Sequence, residues 1–111
     1  MTSSAPTLSI IVARDFSDTP GPRSRSEGKF SGDQFKEEIL KPHFEKAIEQ
    51  KSVLFIDLDG TEGYATSFLE AAFGGLAREF SPEIVRTHLK FKSIEEPYLE
   101  EEITRYIDEA K

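Results

Sequence analysis

The chain contains no cysteine and no tryptophan, and the first absence excludes several kinds of chemistry. Without cysteine there is no disulfide framework, no thiolate nucleophile and no Cys-based zinc site. Two histidines, His43 and His88, remain as nitrogen ligands, and no acid is placed near them as in a known triad or metal site. We therefore predict that the protein uses no cofactor and no metal.

Long apolar runs and clusters of positive charge are also lacking. The apolar-type run near the N-terminus is about six residues, too short for a signal-peptide core and far below the roughly 20 that span a bilayer. Lys and Arg number 14 against 21 Asp and Glu, a net charge of −7 that repels nucleic acid. We expect a cytoplasmic protein that binds neither nucleic acid nor membrane.

The 111 residues are 37% hydrophobic, and the apolar residues form periodic segments between polar turns. This length and pattern predict one domain over residues 8–111, preceded by a flexible N-terminus over residues 1–7. Strands are predicted at 8–13, 53–58 and 88–92, and helical stretches follow each of them. The fold class is therefore α/β, with helices packed on a mostly parallel or mixed sheet of three to five strands.

Local signals place the helix boundaries. Ser31 and Ser67 are each followed three residues later by Gln or Glu, the spacing of a capping box, so each is predicted to begin a helix. Pro42 lies inside the first helical pattern and predicts a kink or restart near Lys41. Residues 74–75, both glycine, predict a place where the second helix packs closely on the sheet.

A sequence of acids follows the central strand and supports one functional hypothesis. Asp57-Leu58-Asp59-Gly60-Thr61 resembles the DxDGT nucleophile loop of haloacid-dehalogenase-type phosphatases. In that chemistry the first Asp attacks phosphorus and the second is the general acid and base, with Mg²⁺ between nucleophile and phosphate. A metal-binding acid cluster late in the chain is also needed, and no Asp occurs between Asp59 and Asp108. The alternative is that both acids stabilise a turn.

A second resemblance covers most of the chain. The segment from Ile56 to Leu69 resembles the STAS domain of anti-sigma factor antagonists, in which a strand leads into a helix whose first turn carries a phosphorylated Ser. The likeness is closer to a STAS-like domain family of unknown function, through Ser24-Arg25, Glu27-Gly28, Asp59-Gly60, Ser67-Phe68 and Phe73-Gly74-Gly75-Leu76.

That resemblance implies a bacterial, non-catalytic regulatory module that exchanges partners. Antagonists of the related family bind a histidine-kinase-like ATP-binding protein, which phosphorylates the Ser and so releases the pair. Without gaps, Thr66 lies at the position of that Ser and Ser67 beside it, so these two are the phosphorylation candidates. A phosphate at a helix N-terminus would meet free backbone N–H groups. For Ser67, the alternative is a capping role alone.

Further residues are predicted to contact a protein partner. Two arginines of the Pro- and Gly-rich loop over residues 16–31 are suited to carboxylate or phosphate, and the alternative is that this loop is simply a mobile surface. Other candidates surround the end of the central strand and the helix start after it. The full set of partner-binding candidates is Arg23, Arg25, Asp57, Asp59, Tyr64 and Phe68.

Overall fold

The computed structural model describes residues 8–110. In chain order the elements are β1 (Leu8–Ile11), α1 (Val12–Asp15), a 3₁₀ turn (Arg25–Glu27), α2 (Gly32–Phe35), α3 (Lys41–Glu49), β2 (Leu54–Asp57), α4 (Thr66–Leu69), α5 (Gly75–Phe80), α6 (Pro82–His88), β3 (Leu89–Lys92) and α7 (Tyr98–Glu109). The predicted flexible N-terminus, residues 1–7, lies outside the described residues.

Two π-helical segments join short helices into long ones. Lys36–Leu40 connects α2 to α3, and Glu70–Gly74 connects α4 to α5. The chain stays helical through Pro42, and the predicted restart near Lys41 takes the form of a change from π to α geometry. The wider turn lies directly before the proline, where no backbone N–H is available for an α-helical hydrogen bond.

The three strands form one parallel sheet in the order β1-β2-β3. In register, Ile10 pairs with Ile56, and Ile56 pairs with Phe91. The helix over residues 32–49 connects β1 to β2, and helices α4 to α6 connect β2 to β3. The predicted α/β class with a small parallel sheet is confirmed.

Burial alternates along every strand, so helices cover one face of the sheet. Ile10, Leu54 and Ile56 are fully buried against the helices, whereas the side chain of Phe55 is 46% exposed on the opposite face. Ser9 and Lys90 flank Phe55 in the register and are exposed as well. The central strand therefore has one buried face and one exposed face, because both crossovers place their helices on the same side.

The core between helices and sheet is rich in phenylalanine. Phe35, Phe44, Phe68 and Phe73 are all at most 1% exposed. Phe44 packs edge-on against the ring of His88, and the Nδ1 atom of His88 lies 2.9 Å from the carbonyl of Ile84 one turn earlier. This histidine therefore has a packing and hydrogen-bonding role in the fold.

The two predicted capping boxes have different outcomes. Ser31 is the N-cap of α2, where its hydroxyl accepts the backbone N–H of Gln34 at 3.0 Å, as predicted. Ser67 is not an N-cap, because α4 begins one residue earlier and its N-cap is Ala65. Glu70 pairs with arginines instead of returning to the helix start. Glu70 therefore forms ion pairs with Arg23 and Arg78 in place of the predicted capping box.

Glycines set the distance between the two long helices. A Cβ atom on Gly32 would lie 2.5 Å from the carbonyl oxygen of Phe68 and 2.9 Å from the Cβ of Ala71, so the helices touch backbone to backbone there. Gly74 and Gly75 have a different role from the predicted contact with the sheet. Their nearest side-chain neighbours are Glu70, Arg78 and Lys36, so these glycines make room for charged side chains.

The helices of this fold are short or amphipathic. Across residues 8–110, none combines the length and the apolar character needed to cross a membrane.

Candidate protein-contact site

The loops that follow the strands meet at the carboxyl end of the sheet, where ligands and partners commonly bind in α/β folds. The β2–α4 loop contains Asp59, and the β3–α7 loop contains Ile94 and Glu95. Glu62 of the first loop also donates its backbone N–H to the carbonyl of Asp18, 2.8 Å away. Three loops are thus joined at this end.

Asp59 is the main link between the two loops. Its carboxylate accepts the backbone N–H of Glu95 at 2.9 Å and of Ile94 at 3.1 Å, and these bonds, that from Glu95 first, hold the pKa of Asp59 below its usual value. Glu95 returns the contact by accepting the N–H of Gly60 at 2.8 Å. Gly60 adopts a φ of 92°, a conformation that favours glycine. We call these bonds the Asp59 clasp.

Asp57 has a local role. One of its oxygens accepts the backbone N–H of Asp59 at 3.0 Å, and the other lies 3.6 Å from the Nζ atom of Lys92. Among residues 8–110 no three His, Asp or Glu side chains converge in a way that could hold a metal ion. The phosphatase hypothesis therefore gains no support from the placement of these acids, and the turn-stabilising alternative describes both of them.

Tyr64 fixes the end of the β2–α4 loop. Its hydroxyl donates a hydrogen bond of 2.9 Å to the carbonyl of Leu58, and burial of the phenol raises its pKa. The ring packs 5.9 Å from that of Phe68. Tyr64 thus stabilises the loop from inside, and its ring is only partly available to a partner.

Phe68 is the clearest correction among the partner-binding candidates. Its side chain is 0% exposed and lies among the rings of Phe16, Phe35 and Tyr64, 5.8 to 6.2 Å between centroids. The helix begins at Thr66, so position 68 turns inwards towards the sheet. A partner that binds the folded protein cannot contact Phe68.

The two phosphorylation candidates occupy the first turn of the helix over residues 66–80. Thr66 is its first residue and is exposed to solvent, whereas Ser67 is partly buried. The residue before them, Ala65, has an extended backbone and no side-chain cap. Thr66 is therefore the more accessible hydroxyl at this end of the sheet.

The exposed apolar side chains of the β3–α7 region were missed by sequence reasoning. Ile94 is 72% exposed and Tyr98 is 58% exposed. The backbone N–H of Ile94 belongs to the Asp59 clasp, so this side chain is displayed from an ordered backbone. Ile94 and Tyr98 are apolar residues in an acidic stretch after the third predicted strand, and neither belongs to the apolar stripe of a helix. That pattern could have marked them as exposed.

The predicted arginine candidates of the long loop are engaged within the molecule. Arg23 donates to Glu70 at 2.7 Å, and Arg25 pairs with both Glu37 and Glu38 at 3.1 Å. Glu70 also accepts Arg78 at 2.7 Å, and the arginines, Arg78 first, lower its pKa. Both loop arginines remain about half exposed, so they connect the loop to the helices at the surface.

Comparison with known proteins then identifies the family. A STAS-like domain family of unknown function (DUF4325) matches residues 31–99, from the N-cap of α2 into α7. The chain belongs to this STAS-like family. The matched range includes the whole helix over 32–49, strands β2 and β3, the Asp59 clasp and Thr66. Searches of curated proteins and of solved structures found no match.

Family membership gives the site a context. In this STAS-like domain the two acids after the central strand, Asp57 and Asp59, are engaged in backbone hydrogen bonds. The loops and helix starts at the carboxyl end of the sheet carry an exposed hydroxyl, Thr66, and two exposed apolar side chains, Ile94 and Tyr98. We define these three residues together with Gly60 as the contact surface.

Proposed function

We propose that this STAS-like domain is a regulatory protein-binding module and that a partner binds at its contact surface. The observation that carries the proposal is Ile94, a large apolar side chain left 72% exposed on a backbone that the Asp59 clasp holds in place. An apolar side chain on an ordered backbone lowers the entropic cost of association, because the loop backbone need not be ordered on binding. The proposed setting is the bacterial cytoplasm.

The proposed partner is a histidine-kinase-like ATP-binding protein, as in the related antagonist family. Thr66 is the favoured phosphorylation site and Ser67 the second, because Thr66 is exposed at the first helical turn. A phosphate there would add about −1.5 to −2 charges at the end of the sheet that also carries the exposed apolar side chains. Covering that charge with a partner would remove it from water at a large cost in free energy, so phosphorylation would release the partner.

The experiment is affinity capture from the protein's own cell lysate, first without ATP and then after ATP and Mg²⁺ are added. The expected result is recovery of an ATP-binding kinase-like protein without ATP. Adding ATP and Mg²⁺ should release it and leave phosphate on the peptide from Ala65 to Arg78, as read by mass spectrometry. Ile94→Asp should abolish recovery, whereas Ile84→Asp, a matched change at another exposed isoleucine on α6, should not. Recovery that is equal for both variants would place the partner elsewhere.

The competing phosphatase hypothesis has its own assay. Hydrolysis of p-nitrophenyl phosphate with Mg²⁺ should stay at the level of the buffer blank for both the native protein and Asp57→Asn. The expectation rests on Asp57 and Asp59, whose carboxylates already accept backbone N–H groups. Metal-dependent hydrolysis that Asp57→Asn removes would establish the enzyme instead.

A further inference from the structure

The segment between α1 and α2 is attached to the protein without entering its core. None of residues 18–30 is buried, although the segment passes over the first turn of α2 and touches the β2–α4 loop. We call residues 18–30 the strap. Because it buries no side chain, its attachment depends on surface ion pairs and on backbone hydrogen bonds.

Those hydrogen bonds are few and form a compact set. The carbonyls of Pro22 and Arg23 accept the N–H groups of Gly32 and Asp33, the first free donors of α2, at 2.8 and 3.0 Å. Gly21 donates to the carbonyl of Phe30 at 2.8 Å, which closes the strap on itself. The strap therefore caps a helix from outside, and its release would leave these donors to water.

The ion pairs of Arg23 and Arg25 connect the strap to the two long helices. Arg23 reaches Glu70, and Arg25 reaches Glu37 and Glu38. The side chains of Arg25, Glu37 and Glu38 are 48%, 57% and 50% exposed, so solvent and salt weaken these pairs. A segment held by such contacts can open locally at a lower free energy than unfolding of the core requires.

The end of the strap carries backbone strain and covers an aromatic ring. Phe30 has a φ of 56°, a left-handed conformation that is unfavourable for a bulky residue. Its ring lies edge-on to Phe16, 5.5 Å between centroids, and Phe16 in turn contacts the buried ring of Phe68. Opening the strap would relieve the strain and uncover Phe16, whose ring contacts Phe68 in the first turns of the helix that begins at Thr66.

From these observations we propose that the strap opens as a unit while the rest of the domain stays folded, and that Arg23 and Arg25 hold it closed over Phe16. Opening adds an aromatic surface next to the contact surface. The inference extends the proposed function, since it gives that surface a closed and an open form. The opening itself requires no partner and can be measured on the isolated protein.

The first test is amide hydrogen exchange by NMR on the native protein and on Arg23→Ala/Arg25→Ala. Exchange of the Gly21, Gly32 and Asp33 amides should accelerate by about 3- to 30-fold in the double variant, the range expected from losing two exposed ion-pair connections. Amides of Ile103 and Ile107 in α7 should be unchanged. Arg86→Ala, which removes the surface pair with Asp108, is the matched control and should leave exchange of the Gly21, Gly32 and Asp33 amides unchanged.

Salt supplies a second condition for the same measurement. Raising NaCl to about 0.5 M should accelerate exchange of the Gly21, Gly32 and Asp33 amides in the native protein. It should have little further effect in the double variant, because the ion pairs that salt screens are already absent there. If the double variant exchanges at native rates, or if α7 accelerates by the same factor, the strap does not open as a separate unit.

A thiol probe gives an independent readout because the chain has no cysteine of its own. Ser17, at the foot of the strap, is only 8% exposed. Maleimide labelling of Ser17→Cys should accelerate when Arg23 and Arg25 are also replaced by alanine. Ser52→Cys, at a buried hydroxyl before β2, should label at an unchanged rate. Unchanged labelling at both positions would overturn the proposal whether or not a partner is ever found.

Discussion

The carboxylate of Asp59, just beyond β2, accepts the backbone N–H of Glu95, just beyond β3, at 2.9 Å. The carboxylate of Glu95 in turn accepts the backbone N–H of Gly60 at 2.8 Å. Two loops 35 residues apart in sequence are thereby joined by reciprocal bonds at the carboxyl end of the sheet. The second acid of the DxDGT-like sequence, Asp59, is thus the one that holds the backbone of Ile94 in place.

Asp59→Ala should lower the midpoint of thermal unfolding at pH 7, because the N–H groups of Ile94 and Glu95 lose their acceptor. Since the folded-state pKa of Asp59 is lowered, its contribution is present above the usual Asp pKa of about 3.9 and is lost as pH falls through the folded value. The difference between native protein and variant should therefore shrink as the pH falls below the usual Asp pKa of about 3.9. Glu83→Ala, on α6, is the control. A difference that persists at low pH would contradict this origin.

Ser31→Ala and Ser67→Ala should behave differently although their sequence signals match. Ser31 caps α2, so its loss should cost about 1 kcal/mol of the free energy of unfolding. Ser67 lies inside the helix and caps nothing, so the change to alanine should stay within about 0.5 kcal/mol. Urea unfolding measures both. Equal losses would mean that Ser67 supports the helix start after all.

Gly32→Ala should destabilise the protein by about 1–3 kcal/mol, the usual cost of overpacking, because the new Cβ would press on the backbone of Phe68. Gly75→Ala is the matched control. There the new Cβ would meet the flexible side chain of Lys36 at 3.2 Å, and alanine favours the helix. Chemical denaturation should show a loss only for the first variant, and equal behaviour would argue against the close helix contact.

Phe55→Thr and Ile56→Ala test whether one face of the sheet is open. Ile56 is fully buried, so truncation should cost about 2–5 kcal/mol. Phe55 is 46% exposed and lies on the uncovered face, so its replacement by a β-branched residue should cost less than about 1 kcal/mol. Unfolding in guanidinium compares the two. A large loss at Phe55 would show that this face is covered in solution.

Local signals in the sequence predicted the three strands and the start of the first long helix. The apolar run ending at Asp57 predicted the central strand, and Ser31 marked a real helix boundary, because propensity and capping act over a few residues. Helix α1 was not predicted, since it begins at Val12 inside the strand expected over residues 8–13. Family membership was foreseeable, since its motifs are short and lie in a fixed order along the chain. These features depend on neighbours in sequence.

Tertiary structure decided the roles of individual side chains. Ser67 has the same local signal as Ser31, yet the helix starts at Thr66 and Glu70 binds Arg23 and Arg78 instead. Phe68 turned out to be buried, because burial depends on which face of the helix meets the sheet. The exposure of Ile94 could not be predicted either, since it follows from a clasp between distant loops.

The sequence alone therefore determined the class of the fold, the order of strands and helices and the family, all of which follow from local propensity and short motifs. Only the folded chain decided which face of the sheet stays open, which candidate residues reach solvent and that Arg23 and Arg25 pair with acids of the two long helices. The physical reason is that burial and ion pairing depend on distances between segments far apart in sequence.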